Sequence, residues 1–222
     1  MTGSEQKLPR LAVLGATGLV GSRVLAEIAG RGWPVKALVR TAGKVPALPG
    51  VTAVAVDARD PAALAEALAD VDVLISAYNP GWGEPEIRSI MNAAYAAIIT
   101  AARATRVRVI AVGGAGSLEV APGVQVLDTP DFPAAYRAGA EGARDVLNTL
   151  KGETGLDWTF LSPPAMIAPG ERTGKYRTGG DQLLVASDGQ SRISLEDLAV
   201  ALVDEAVNHA FPARRFTVVA AD

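Results

Sequence analysis

Short apolar runs alternate with stretches in which apolar residues recur every three to four positions, and the alternation repeats along the chain. Runs rich in Val, Leu, Ile and Ala at 11–14, 35–39, 51–56, 71–76, 107–112, 158–161 and 216–220 read as strands. Between the first two, residues 18–29 carry Leu19, Val20, Val24, Leu25 and Ile28 at helical spacing, and Gly30 and Gly32 stop the helix. A second helix begins at Asp60-Pro61, an acidic N-cap followed by proline at the first helical position, and ends near Asp70. The stretch 84–104 places Ile87, Ile90, Met91, Ala94, Tyr95 and Ile98 on one stripe. Residues 134–150 are helical in pattern, and Ser194 caps a further helix over 195–208.

Strands alternating with helices predict an α/β fold, a Rossmann-type doubly wound parallel sheet with helices on both faces. Residues 41–49 and the aperiodic stretch 118–133 are expected to be loops, and 170–180 a hairpin or flexible loop. No repeat, linker or low-complexity tract interrupts the pattern. Residues 1–222 are therefore expected to form one domain with a small C-terminal substrate region, its acceptor-site elements at 118–133 and 166–191.

The first strand runs directly into Gly15-Ala16-Thr17-Gly18-Leu19-Val20-Gly21, which opens the first helix. Such spacing is weak evidence in a chain rich in Gly and Ala, and a plain strand–helix turn is the alternative; the strand before it and the helix after it favour a dinucleotide site. Gly15 would allow the tight turn, Gly18 the approach of a pyrophosphate to backbone N–H groups, and Gly21 close helix–strand packing. The pyrophosphate would then sit at the positive end of the helix.

The second strand selects the dinucleotide. An NAD site wants an acid at its end, yet Arg40 stands there, with Lys44 nearby and no acid between Glu27 and Asp57. An arginine clamps a ribose 2′-phosphate that an acid would repel, so NADP(H) is expected over NAD(H), the alternative being a solvated cation at a strand end. Arg23 would reach the same phosphate or only solvent. Asp57 would accept from the adenine amino group or cap the turn into the next helix. Ser76 and Ala77 end the fourth strand, where small side chains let the cofactor lie across the carboxyl edge of the sheet.

Composition then removes whole classes of chemistry. The formal net charge is −3 and the isoelectric point about 5.3, which gives no footprint for nucleic acid or anionic membranes. With no cysteine there is no disulfide, thiolate nucleophile or Cys-based metal site, and one histidine, His209, leaves no His-rich metal cluster. His209 itself reads as a helix C-terminus rather than a catalytic base. Residues 2–7 are polar and unlike a signal peptide, and the apolar run 93–102 is too short to span a bilayer, so a cytoplasmic protein is expected.

These residues resemble the short-chain dehydrogenase/reductase superfamily, in particular its atypical, NmrA-like members. The likeness rests on Gly15-Ala16-Thr17-Gly18-x-x-Gly21, Leu38-Val39-Arg40, Asp57 and Ser194-Leu195-Glu196-Asp197-Leu198-Ala199. Residues 113–118 and 174–181 are similar to the NADH-flavin reductase group, whose layout is shared by the biliverdin-IXβ/flavin reductases. The superfamily pattern implies a Tyr-x-x-x-Lys pair, in which the lysine lowers the tyrosine pKa. Here Tyr136 is followed four residues later by Ala140. Tyr136 is then a packing or binding residue more readily than a tuned acid, which argues against alcohol dehydrogenation and sugar epimerisation.

Hydride transfer to a flavin fits that gap, because the cofactors carry the chemistry and the protein positions the rings. The resemblance places Ser117 beside the nicotinamide, in contact with it or with the acceptor, and Pro163 in Ser162-Pro163-Pro164 along its wall; a turn serine and a strand terminator are the plainer readings. Arg172, Lys175, Tyr176 and Arg177 would attract an anionic acceptor or simply line a solvated loop. The expected activity is an NADPH-dependent reductase acting on a small conjugated acceptor, with a flavin as substrate. A non-catalytic NADPH sensor is the second reading, and an epimerase or dehydratase the third. Either long helix offers a face for a homodimer, or both face solvent.

Overall fold

Apolar runs in the middle of the sheet become strands because both faces are covered there, so each side chain needs an apolar neighbour, whereas the run 51–55 at the edge stays largely exposed. The computed structural model describes residues 8–221; residues 2–7, read above as unlike a leader, lie outside them. In chain order the elements are β1 (Leu11–Leu14), α1 (Leu19–Gly30), β2 (Val35–Val39), β3 (Val51–Ala55), α2 (Pro61–Leu68), β4 (Val73–Ser76), α3 (Ile87–Thr105) and β5 (Arg108–Val112). Then follow β6 (Glu119–Ala121), β7 (Val124–Gln125), α4 (Ala134–Lys151), β8 (Trp158–Ser162), β9 (Met166–Ala168), β10 (Tyr176–Gly179), β11 (Arg192–Ser194), α5 (Leu195–Asn208) and β12 (Arg214–Ala220).

The main sheet has eight strands in the order β3-β2-β1-β4-β5-β8-β12-β10, parallel throughout except for the antiparallel edge strand β10. Leu14 lies opposite Leu38 on one side and Ser76 on the other, so strand order reverses between β1 and β4. A ligand crevice forms at such a switch point, outside the carboxyl ends of the strands. Helices α1 and α5 cover one face, packing Val24, Leu25, Ile28, Leu198 and Leu202 on Val13, Ile75, Ile110, Leu161 and Phe216. On the other face α2, α3 and α4 pack Leu64, Ile98 and Leu147 on Leu14, Leu38, Leu74, Val109 and Phe160. Each such fully buried Leu or Ile stabilises the fold by about 1.5–3 kcal/mol relative to leaving it exposed.

Helix ends follow local chemistry. Asp60 Oδ1 accepts from the N–H groups of Ala62 and Ala63, and Ser194 Oγ from that of Asp197. His209 ends α5 with φ +49°, its Nε2 3.0 Å from Asp157 Oδ1, at the amino edge and away from the switch point.

Two expectations change. Residues 118–133 are not a structureless loop: β6 and β7 pair antiparallel across Pro122-Gly123, where Gly123 has φ +73°. That dipeptide is a turn signal outweighed by the lack of periodicity around it. Within 170–180 the chain forms β10, which closes the sheet edge against β12. Strands β9 and β11, three residues each, make a separate parallel ladder too short for periodicity to announce. Among the described residues no helix is long and apolar enough to cross a membrane.

Candidate functional site

The turn after β1 is shaped by side chains that are missing. Gly15 has φ +77°, a left-handed conformation, and its N–H donates to Leu38 O at 3.1 Å, locking the turn onto β2. A Cβ on Gly15 would stand 2.8 Å from Ala77 O, and one on Gly21 would stand 2.2 Å from Gly15 O. Gly18 starts α1 in an extended conformation with no side-chain cap. The first-turn N–H groups of α1 thus face the crevice without a side chain to receive, and a pyrophosphate fits that cradle. Ala16 is buried beneath the turn, Thr17 and Leu19 are exposed, and Val20 is half-buried.

At the end of β2 Arg40 is exposed and makes no hydrogen bond or ion pair among the described residues. Arg23, in contrast, is drawn toward α5, with Nε 3.5 Å from Glu196 Oε1. Asp57 accepts from the N–H of Arg59 at 2.9 Å and from its guanidinium at 3.0–3.2 Å. The Arg59 guanidinium, helped by that N–H, holds the Asp57 carboxyl below its usual range, with Arg40 contributing least. Asp57 is therefore a turn cap in the free chain.

Ser76 is fully buried and its Oγ donates to Tyr95 OH at 3.2 Å, while burial pushes the Tyr95 phenol up to about 12. Ala77 N–H donates to Leu14 O at 3.0 Å, which seats the backbone after β4 against Gly15. What Ser76 and Ala77 offer a ligand is small backbone relief rather than polar side chains. Next to them Tyr78 is half-buried, its phenol raised by burial against the opposing charges of Arg59 and Arg40.

The other end of the crevice is built from distant residues. Ser117 is 2% exposed, and both its carbonyl and its Oγ accept from Arg215 Nη1, at 2.7 and 3.0 Å. Arg215 Nε also donates to Asp181 Oδ1 at 2.8 Å. Glu119 N–H donates to Asp181 O at 2.8 Å, and Leu183 N–H to Glu119 O at 2.9 Å. Segments 118–133 and 166–191 are thereby brought together, with Arg215 beneath their junction.

Tyr136, on the first turn of α4, is 51% exposed and meets Trp82 edge-on at 5.3 Å between ring centroids. Ala140, where the superfamily pattern has lysine, packs on Gly116; a Cβ on Gly116 would stand 3.0 Å from Ala140 Cβ. Arg137 turns away to donate to Leu127 O at 3.1 Å. Pro163 is buried just after Ser162 at the end of β8.

Of the four residues read as attracting an anionic acceptor or simply lining a solvated loop, three are already engaged. Arg172 donates to Glu27 at 2.6 and 2.8 Å, Tyr176 OH to Asp204 at 2.8 Å, and Arg177 to Val185 O. Lys175 stays exposed. Beside the β9–β11 ladder lies a groove of about 440 Å³, lined by Met166, Ala168, Ala186, Arg192, Ile193 and Ala220, within the range of small-molecule sites. Among the described residues no cluster of His, Asp and Glu is arranged to hold a metal ion.

Residues 15–208, from the first glycine of the turn to the end of α5, match the family described as NAD(P)H-binding. The chain belongs to that family. Its layout is that of the atypical short-chain dehydrogenase/reductases. A provisionally named exported protein from Burkholderia pseudomallei is 47% identical, with TM-score 0.86, over 96% of this chain and 100% of that one. A provisionally named epimerase from Bacteroides thetaiotaomicron is 35% identical, with TM-score 0.89, over 97% and 99%. A provisionally named NADH-flavin reductase from Streptococcus pneumoniae is 30% identical, with TM-score 0.85, over 96% and 99%.

Sequence reasoning passed over Arg215 and Trp82. A signal existed for the first, since Arg214-Arg215 opens an otherwise apolar strand. Trp82 stands beside the Pro80-Gly81 turn with nothing in its spacing to place it across Gly139 of α4, where a Cβ would lie 2.6 Å from its ring.

Proposed function

We propose that this NAD(P)H-binding protein is an NADPH-dependent reductase that passes hydride to a flavin or similar conjugated acceptor. The observation that carries the reading is Ala140 packed on Gly116, where an acid–base site of this superfamily would need a lysine. When bound, reduced nicotinamide supplies a hydride, and with one proton from solvent this reduces the acceptor by two electrons. The chain's own residues then need only hold two rings in register. Gly15, Gly18 and Gly21 admit the pyrophosphate, and the unengaged Arg40 receives the 2′-phosphate. Tyr136 and Trp82 offer aromatic surface at the mouth, Pro163 a wall, and Ser117 a hydroxyl oriented by Arg215. Similarity to a provisionally named NADH-flavin reductase supports this reading.

A second reading, a non-catalytic NADPH sensor, draws on one observation: Ser117 is almost wholly covered in the free chain. Anaerobic NADPH oxidation with FMN, FAD and riboflavin offered in turn separates the two. Protein-dependent turnover that drops when NADH replaces NADPH is expected. Tight NADPH binding without turnover on any acceptor would favour the sensor.

A further inference from the structure

Trp82 is held firmly, yet 57% of it is exposed. Its loop joins β4, one of the two switch-point strands, to α3. Asn79 Oδ1 accepts from the N–H of Gly81 at 2.7 Å, and Glu84 N–H donates to Gly81 O at 3.1 Å, which closes the turn around the indole. The six-membered ring of the indole rests on Gly139 of α4, where a Cβ would stand 2.6 Å away. Tyr136, one turn earlier, meets it edge-on with the ring planes 82° apart. A glycine inside a helix is destabilising relative to alanine, and this one makes the space that seats the ring. An indole left more than half in water returns little burial for that cost, whereas a surface fixed in advance loses little freedom when a ligand arrives.

The position is at the crevice. Helix α4 connects the parallel strands β5 and β8, so its first turns stand at the carboxyl edge, as does the loop after β4. Ala140, next to Gly139, packs on Gly116, which precedes Ser117. Charge recognition is weak around this ring. Arg88, on the first turn of α3, meets Glu141 at 2.8 Å and Asp145 at 2.7 Å. Of the two arginines of α4, Arg137 donates to Leu127 O and Arg144 meets Asp128 at 2.8 Å. Glu84 and Glu86 follow Trp82 in the loop. A phosphate on an acceptor would find acids and engaged arginines there, while a planar ring would find an aromatic surface already in place.

We propose that Trp82, seated on Gly139, is the acceptor-binding residue, and that it takes a planar fused-ring acceptor by stacking rather than by charge. This rests on the reductase reading above. Gly139 is a positioning residue, because it acts only through the ring it seats.

The test compares wild type with Trp82→Leu, Trp82→Phe and Gly139→Ala. Anaerobic NADPH oxidation gives KM and kcat for riboflavin and for FMN, and titration of riboflavin fluorescence gives Kd without turnover. Wild-type KM is expected to be similar for the neutral and the phosphorylated flavin. Trp82→Leu is expected to raise Kd and KM about tenfold for both, as loss of one ring stack implies, with NADPH affinity unchanged by calorimetry. Trp82→Phe should recover most of the loss, and Gly139→Ala should reproduce it with Trp82 intact. Unchanged Kd and KM in Trp82→Leu would overturn the proposal. A wild-type KM more than about tenfold lower for FMN than for riboflavin would overturn it too, by revealing a phosphate site. Without turnover in the wild type the reductase reading falls; riboflavin binding that weakens in Trp82→Leu would still uphold Trp82 as a ring-binding residue, and no binding would overturn both. If Gly139→Ala fails to fold on thermal melting, the two substitutions at the exposed Trp82 carry the comparison.

Discussion

The two ends of the crevice are built on opposite principles. Around β1 and β2 the site is made by omission: glycines where a Cβ would strike backbone, a helix start without a side-chain cap, and an arginine that makes no hydrogen bond or ion pair among the described residues. Around β8 and β12 it is made by mutual commitment. Arg215 holds Ser117 and Asp181, Arg172 holds Glu27, and Tyr176 holds Asp204. The first end has its donors free and waits for an anion; the second has used most of its polar groups on itself. A half left open beside a self-satisfied half separates the residues that can meet a dinucleotide from those that hold the crevice in shape.

The sharpest way to break this contrast is to add a side chain to the half built by omission. Gly21→Val would put Cβ 2.2 Å from Gly15 O, backbone that has no rotamer by which to escape. NADPH binding is expected to fall more than 100-fold by calorimetry, equivalent to about 3 kcal/mol or more. A variant that still bound NADPH normally would mean that the pyrophosphate does not use this turn.

Arg215→Met tests the opposite half. Its side chain is 3% exposed, and removing it strands the carbonyl and hydroxyl of Ser117, while Asp181, 60% exposed, can rehydrate. A loss of about 2–3 kcal/mol is expected in denaturant unfolding, with affinity for adenosine 2′,5′-bisphosphate unchanged. If fragment binding fell in step with stability, the two halves would be one cooperative unit and the contrast would fail.

The same contrast explains what the sequence made legible. The glycine turn, the strand–helix alternation and Arg40 are local: their meaning lies in spacing within about 25 residues, and strand order follows from the handedness and shortness of βαβ connections. Ser117–Arg215 spans 98 positions and Glu27–Arg172 spans 145, so no window of sequence displays either pair. For Arg172 and Tyr176 sequence could not choose between recognition groups and a solvated loop, because their partners sit on α1 and α5, far away in the chain. Ser162 was visible in sequence only as part of the Ser162-Pro163-Pro164 strand end, and the packed interior adds that its hydroxyl has no hydrogen-bond partner among the described residues.

Arg40 sharpens the open half. Arg40→Ser is expected to weaken NADPH binding about 10–100-fold, the equivalent of one lost charge-assisted contact, and to leave NADH affinity within about twofold. Competition calorimetry with both cofactors reads this directly. Parallel losses for both would mean that Arg40 supports the β2 end rather than a 2′-phosphate.

The smallest effect lies at the seam between the halves, where Glu27 of α1 receives Arg172 from the segment after β9 and Arg31 from just past the end of its own helix. The Arg172 guanidinium, then Arg31, holds the buried Glu27 carboxyl below its ordinary value of 4.5 against the opposing effect of burial. A carboxyl with a depressed folded-state pKa contributes stability that is complete above its unfolded value and disappears as pH falls through the folded one. Glu27→Gln should therefore cost about 1 kcal/mol at pH 7, the difference between charged and neutral hydrogen bonds. Thermal melting as a function of pH should show that gap closing as pH drops below about 4.5, where the wild-type carboxyl takes up its proton. A gap independent of pH would mean that Glu27 acts by shape alone, and that the seam joining the open half to the closed one is not held by charge.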